Sequence, residues 1–276
     1  MQILELMASV IEKPREELTF NASYSKGNNE NNQLYNTETY FSLDPLYDPI
    51  GITTNIGLGN DHNYNVQADY TLPIGKAGKF EAGYRSQFRN SDNSTIAEIL
   101  NNTTGLYEMN YRVSNDFNSE EQIQALYSNY QNQIGNFGYQ LGLRGEDAAL
   151  NTNSGRYSAG NDISYTPGKV AYTRLYPSVF LTQKFKGDQQ VQVNYSRRVN
   201  RPRGWDTNPF LDISDPLNYR QGNPNLKPED VHAYEMAYNK FWPKVTFIST
   251  VYFRQTNDAI QRVRSAPDEN GIVTTT

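Results

Sequence analysis

The sequence predicts an all-β protein: an antiparallel up-and-down transmembrane β-barrel segment of about nine strands that does not by itself complete a barrel. Three observations predict it. Apolar and polar side chains alternate residue by residue over stretches of about ten. The links between these stretches are short and long in turn. No window offers the roughly 18 consecutive apolar residues of a membrane helix.

The alternation is clearest in "HNYNVQADYTLP" from His62, where Tyr64, Val66, Ala68, Tyr70 and Leu72 oppose Asn63, Asn65, Gln67, Asp69 and Thr71. Before it, "ELTFNASYS" reads as the first strand, and after it "KFEAGYRSQFR" sets Phe80, Ala82, Tyr84 and Phe88 against Lys79, Glu81, Arg85, Gln87 and Arg89. "EEQIQALYSNYQNQI" changes phase between Tyr127 and Tyr130, which predicts a bulge. "NFGYQLGLR" presents Phe137, Tyr139, Leu141 and Leu143 opposite Gln140 and Arg144, and "RLYPSVFLTQKF" is apolar on both faces near Val179 and Phe180. "QQVQVNYSR" presents Val191, Val193 and Tyr195 opposite Gln190, Gln192 and Asn194. "EDVHAYEMAYNKFW" and "PKVTFISTVYFR" complete the set.

Connections at 73 to 79, 134 to 137, 185 to 190 and 241 to 244 are tight, whereas 26 to 61, 90 to 119, 145 to 170 and 200 to 228 are long and polar. One rim is therefore short and the other built of long loops, an asymmetry that a soluble β-sandwich has no reason to show. Residues 1–16 are expected to be a short lead, not a clear signal peptide because Glu5 interrupts the apolar run and no basic region precedes it. Residues 17–264 form the barrel wall, and 265–276 are a truncated loop or the start of a further strand. Tyr70, Phe185, Phe241 and Trp242 fall where aromatic residues meet a membrane interface.

Composition narrows the function. The 276 residues are polar on average, with mean hydropathy −0.76, yet 13% are aromatic and 21 are tyrosine, which a disordered chain would lack. A net charge of −5 removes the global positive field that nucleic acid binding needs. There is no cysteine, hence no disulfide, thiolate zinc site or thiol nucleophile. His62 and His232 lie on different hairpins with no second histidine beside either, so no metal or cofactor is expected. Glu120/Glu121 and Glu229/Asp230 are neighbours that point to opposite faces of a strand and cannot flank one bond, so no enzymatic activity is expected.

"YSRRVNRP" followed by "NPFLDISDPLNYRQGNPNLKPE" resembles the signature of TonB-dependent receptor-like outer-membrane β-barrel proteins. The matching positions are Tyr195 to Arg198, Arg201 and Pro202, Asn208 to Phe210, and Gly222 to Glu229. The resemblance implies a wall of about 22 strands around a plug, a small nutrient bound at outer loops, an inner-membrane energising complex as partner, and outer-membrane lipid around the wall. No plug is recognisable in these residues, so the resemblance implies an internal portion of the barrel. Physically, Pro202, Pro209, Pro216, Pro224 and Pro228 make residues 200–228 an ordered loop, with Gly222 and Asn223 expected to reverse the chain through positive φ.

Ligand contacts are expected at Arg203, Trp205, Asp206 and Tyr219 on that loop, and a polar lumen lining at Gln67, Asp69, Arg85, Gln140 and Gln192. The main alternative is a soluble all-β binding module, for instance a carbohydrate-recognising one; an outer-membrane enzyme is a more distant one.

Overall fold

The computed structural model describes residues 2–11, 15–38, 50–159, 162–213, 215, 217–269 and 271–276. In order these form β1 (Gln2–Val10), β2 (Glu17–Glu38), β3 (Ile50–Ile74), β4 (Gly78–Asn101), β5 (Leu106–Met109), β6 (Asn115–Ile134), β7 (Phe137–Tyr157), β8 (Ile163–Phe185), β9 (Gln189–Asn200), β10 (Leu211–Asp212), β11 (Asn218–Gln221), β12 (Glu229–Phe241), β13 (Thr246–Asn257) and β14 (Val273–Thr275). One antiparallel sheet runs β1-β2-β3-β4-β6-β7-β8-β9-β12-β13, each strand beside its predecessor, with β5 folded back on the end of β4. β10, β11 and β14 make a separate three-stranded sheet. The long sheet is not closed; β1 and β13 are its edges.

The nine expected strands are all present, and β1 adds a tenth from the residues expected to be a lead. Its sheet register puts Leu4, Leu6, Ala8 and Val10 beside Tyr24, Ala22, Phe20 and Leu18, so it continues the apolar face. The short rim holds tight turns in which Gly75, Gly135 and Gly187 take positive φ of 61°, 58° and 78°. The other rim departs from expectation. Much of the supposed loops at 26–61, 90–119 and 145–170 is β-ladder: β2 and β3 stay paired to Glu38↔Ile50, and β7 and β8 to Tyr157↔Ile163.

Across the sheet, register aligns apolar rows: Tyr24↔Tyr64↔Phe88, Ala22↔Val66 and Phe20↔Ala68↔Tyr84 at one side, Tyr195↔Tyr234↔Phe253 and Val193↔Met236↔Val251 at the other. No second sheet or helix covers these rows among the described residues, and Leu126, Met236 and Val251 are 68, 54 and 72% exposed. A large uncovered apolar face of this kind needs a non-aqueous partner. Along β3 the band runs from Tyr64 to Leu72; eight steps of roughly 3.3 Å on a strand tilted about 40° give a height of roughly 20 Å, near the about 25 Å apolar belt of a membrane barrel.

No bulge occurs at Tyr127. The ladders on both sides of β6 run without a skipped residue through Tyr127↔Gly83 and Tyr127↔Arg144. Tyr127 instead points to the polar face, where its hydroxyl donates to Asp69 Oδ1 and Gln67 Nε2 donates to Asp69 Oδ2 at 2.7 Å. Gly83 makes the room: a Cβ there would sit 2.7 Å from Asp69 Oδ1. The apparent phase change is a tyrosine used as a polar residue.

Candidate functional site

Above the apolar band the strands continue, and their polar face carries small side chains. Register aligns Gly27↔Asp61↔Ser91↔Ser119 and Asn31↔Gly57↔Thr95↔Asn115, with the row Asn29↔Gly59↔Asn93↔Phe117 between them. Glycine and serine here leave the backbone as a shallow wall, and asparagines decorate it. Opposite stand residues 201–228 and 260–276, and the space between is a cleft of about 1640 Å³.

The loop is fastened from its first residues. Arg201 bonds Glu146, itself held by Arg144 Nε at 2.5 Å, and Arg201 Nε donates to the Tyr172 hydroxyl at 2.7 Å. Glu146 is 5% exposed, so the pairing offsets what would otherwise be a costly buried charge. A short 3-10 turn, Gly204–Thr207, follows, opened by Asp206 Oδ2 accepting the Arg203 N–H at 3.1 Å. Ser154 donates to Asn208 Oδ1 at 2.9 Å, and the Arg156 guanidinium lies 5.9 Å from the Phe210 ring centroid. At the return, Gly222 packs so closely that a Cβ would stand 2.5 Å from the Asp206 carbonyl oxygen and 2.6 Å from that of Asn208. The glycine is needed for close approach; neither Gly222 nor Asn223 has the positive φ expected of them. Further along, Asp215 accepts the backbone N–H of Leu217 at 3.0 Å and of Asn218 at 3.1 Å, which holds its carboxyl below the usual carboxylate range.

The segment after β13 locks onto this loop. β14 pairs in parallel with β11, Glu229 Oε1 accepts the Ile260 N–H at 2.6 Å, and Arg262 lies over the Trp205 ring at 4.8 Å with Asp206 4.0 Å away. Trp205 remains 51% exposed in the cleft.

A seam opens behind the loop. β9 pairs with β8 only from Phe185↔Gln189 to Ser178↔Ser196, so the upper length of β8 has no ladder partner on that side. Asp230 fills the wedge, bridging Arg174 at 2.9 Å and Arg197 at 2.8 Å. Arg197 also donates to the Leu175 carbonyl at 3.2 Å and Arg174 to that of Pro228 at 3.2 Å, satisfying backbone oxygens the ladder no longer reaches.

A sequence profile described as the outer membrane protein beta-barrel family matches residues 10–276. The chain belongs to that family. A search of curated proteins finds no match. Among solved structures the chain is similar to the copper transporter OprC (10% identity, TM-score 0.62, 99% of this chain and 42% of that one). It is also similar to the ferric yersiniabactin uptake receptor FyuA of Yersinia pestis (13%, 0.59, 93% and 36%) and to the ferric citrate transporter FecA in its unliganded form (13%, 0.56, 92% and 34%). At such identities the likeness is one of fold: the sheet is that of an outer-membrane β-barrel wall. The chain spans about a third to two-fifths of the length of these structures.

Within this family fold, three of the four expected loop residues, Arg203, Trp205 and Asp206, line the cleft. Tyr219 does not; it pairs with Thr274, while its neighbours Asn218 and Arg220 face the cleft. Alternation along β11 puts Tyr219 on the opposite side from them. Gln67, Asp69 and Arg85 come together on the polar face beneath the cleft, with Arg85 opposite Gln67 in the ladder. Gln140 lies on the same face, donating to Asn129 Oδ1 at 3.2 Å, and register places Gln192 beside Thr182 farther along the sheet. Glu121 faces the cleft, Asp230 the seam, and each histidine hydrogen-bonds a tyrosine: Tyr24 with His62 at 2.9 Å, Tyr195 with His232 at 3.0 Å. The sequence reading missed Arg262 and the asparagines of the extended strands. Their signal was present in "NIGLGND", where Ile56 and Leu58 alternate with Asn55, Gly57 and Gly59.

Proposed function

We propose that the chain is part of the wall of a ligand-binding uptake receptor, whose cleft takes a small nutrient from outside and whose polar face conducts it inward. The observation that carries this reading is vertical order: a loop-lined cleft sits above an apolar membrane band, and polar residues including Gln67, Asp69 and Arg85 continue beneath it on the same face. Arg203, Trp205 and Asp206 are the ligand contacts; Gln67, Asp69, Arg85, Gln140 and Gln192 line the path. In the whole protein, strands beyond β1 and β13 close the wall, because unpaired edges cannot stand in lipid. A plug occupies the lumen, and an inner-membrane complex supplies the energy to move it.

These residues contain no cysteine, and the unsubstituted whole protein gives the labelling background against which introduced thiols are read. Single replacements Trp205→Cys, Val66→Cys and Gln67→Cys in the whole protein are probed on intact cells with a membrane-impermeant maleimide. Position 205 is expected to label rapidly, position 66 to be protected by lipid, and labelling at 67 to depend on the proton-motive force. Rapid labelling at 66 removes the membrane assignment; labelling at 67 that ignores a protonophore removes the energised step.

A further inference from the structure

We propose that the cleft selects neutral, hydroxyl-rich ligands, oligosaccharides by chemical class, in preference to charged metal chelates. The inference rests on the receptor reading above and names what that receptor takes.

The lining is dominated by uncharged hydrogen-bonding groups. Eight asparagines, three glutamines and six serines and threonines line the cleft, against seven lysines and arginines and five acidic residues. Primary amides present a donor and an acceptor side by side, the pattern that matches vicinal hydroxyls, and they do so without requiring a counter-charge on the ligand. Several of the cations are already engaged by the protein. Arg201 is bound to Glu146, Arg89 is 3.8 Å from Glu121 and donates to Asn63 at 2.9 Å, and Arg262 lies between Asp206 and the Trp205 ring. A polyanionic chelate would have to break these pairs or meet the cleft's carboxylates, Asp61, Glu121 and Asp206 among them. Among the described residues no group of histidine and acidic side chains could hold a metal ion in exchange.

Trp205 supplies what amides lack. Its indole is half exposed at the cleft and held by Arg262, so it offers a fixed flat apolar surface for the C–H face of a sugar ring at little entropic cost. The volume of about 1640 Å³ leaves room for a chain of several rings.

The test uses the whole protein in detergent micelles, with binding followed by isothermal calorimetry. It is titrated with maltoheptaose, xylohexaose, cellohexaose and a fructan, and separately with ferric citrate and a ferric catecholate. Saturable binding of at least one oligosaccharide is expected. Trp205→Ala is expected to lower affinity for that sugar about tenfold. Asn93→Asp and Asn115→Asp are expected to weaken the same sugar while the apolar band and folding are unchanged. Saturable binding of a ferric chelate alone overturns the inference and leaves the receptor reading standing. Saturable binding of neither class overturns the inference and counts against the receptor reading as well.

Discussion

The hairpins β2–β3 and β9–β12 solve one problem identically and the next one differently. Each carries a tyrosine opposite a second tyrosine, Tyr24 with Tyr64 at 4.8 Å between ring centroids and Tyr195 with Tyr234 at 5.0 Å. In each, a histidine two residues before the second tyrosine hydrogen-bonds the first and stacks on it, at 6.0 Å in one and 6.2 Å in the other. A basic residue, Lys26 or Arg197, lies opposite each histidine. These groups, with an apolar ring and a polar tip, stand at the top of the apolar band in both places, where a bilayer gives way to water. Above that level the hairpins diverge. β2 and β3 remain paired for a dozen further rungs and form cleft wall, whereas β9 parts from β8 and β12 ends at Asn200↔Glu229, releasing the loop that faces that wall. Membrane height is fixed by side-chain chemistry that repeats; the site above is made where backbone pairing is allowed to stop.

The largest expected effect lies at that stopping point. Asp230→Ala leaves Arg174 and Arg197 facing each other in a wedge where their side chains are 20 and 28% exposed, a loss of about 3–5 kcal/mol on the scale of buried pairs stripped of one partner. Hydrogen exchange is expected to accelerate at 170–178 and 196–200 while β2–β3 is unaffected. Equal acceleration in both hairpins would mean that the seam is not a local device. Next in size, Val66→Arg and Met236→Arg place a charge two residues inside the tyrosine level of each hairpin. Each is expected to cost about 1–3 kcal/mol in denaturant unfolding from micelles or bilayers, between the interfacial and midplane values, and the two costs are expected to match. A clear inequality would show that the hairpins do not sit at one depth.

Legibility in the sequence followed the solvent. Where lipid meets one face, as from Tyr64 to Leu72, alternation is strict and the strand is read directly. Above Tyr24 and Tyr64 water meets both faces, nothing forces an apolar row, and "SKGNNENNQ" reads as a loop although its backbone is fully laddered. β1 was hidden for the opposite reason: Ile3 and Met7 on its second face blur the row of Leu4, Leu6, Ala8 and Val10. At the site, the prolines and Trp205 marked the loop, but Arg262 reaches Trp205 from 57 residues away through a parallel pairing that no local pattern announces. Tyr219 looked equivalent to Trp205 in composition and differs only in which side of a four-residue strand it occupies.

Gly83 tests the polar side of the first hairpin's neighbour. Gly83→Ala is expected to cost about 1–3 kcal/mol, because the added carbon meets Asp69 and the Tyr127 ring and must push one aside. The double variant Gly83→Ala with Tyr127→Leu is expected to recover part of that loss, since the phenol is the obstacle.

The smallest effects probe the repeated tyrosines. Tyr24→Phe and Tyr195→Phe each remove one hydroxyl from a histidine and keep the ring, so each is expected to cost about 1 kcal/mol, the net worth of an ordinary hydrogen bond. If the two clusters do the same work at the same height, the losses are equal, and because the hairpins share no partner they add in the double variant. If Tyr195→Phe costs distinctly more, its cluster is also supporting the seam through Arg197, which lies opposite His232, and the interface role belongs to Tyr24 and His62 in purer form. Unfolding of the three variants side by side in one detergent decides between these outcomes, and with them whether membrane anchoring and the opening of the sheet are separable in this wall.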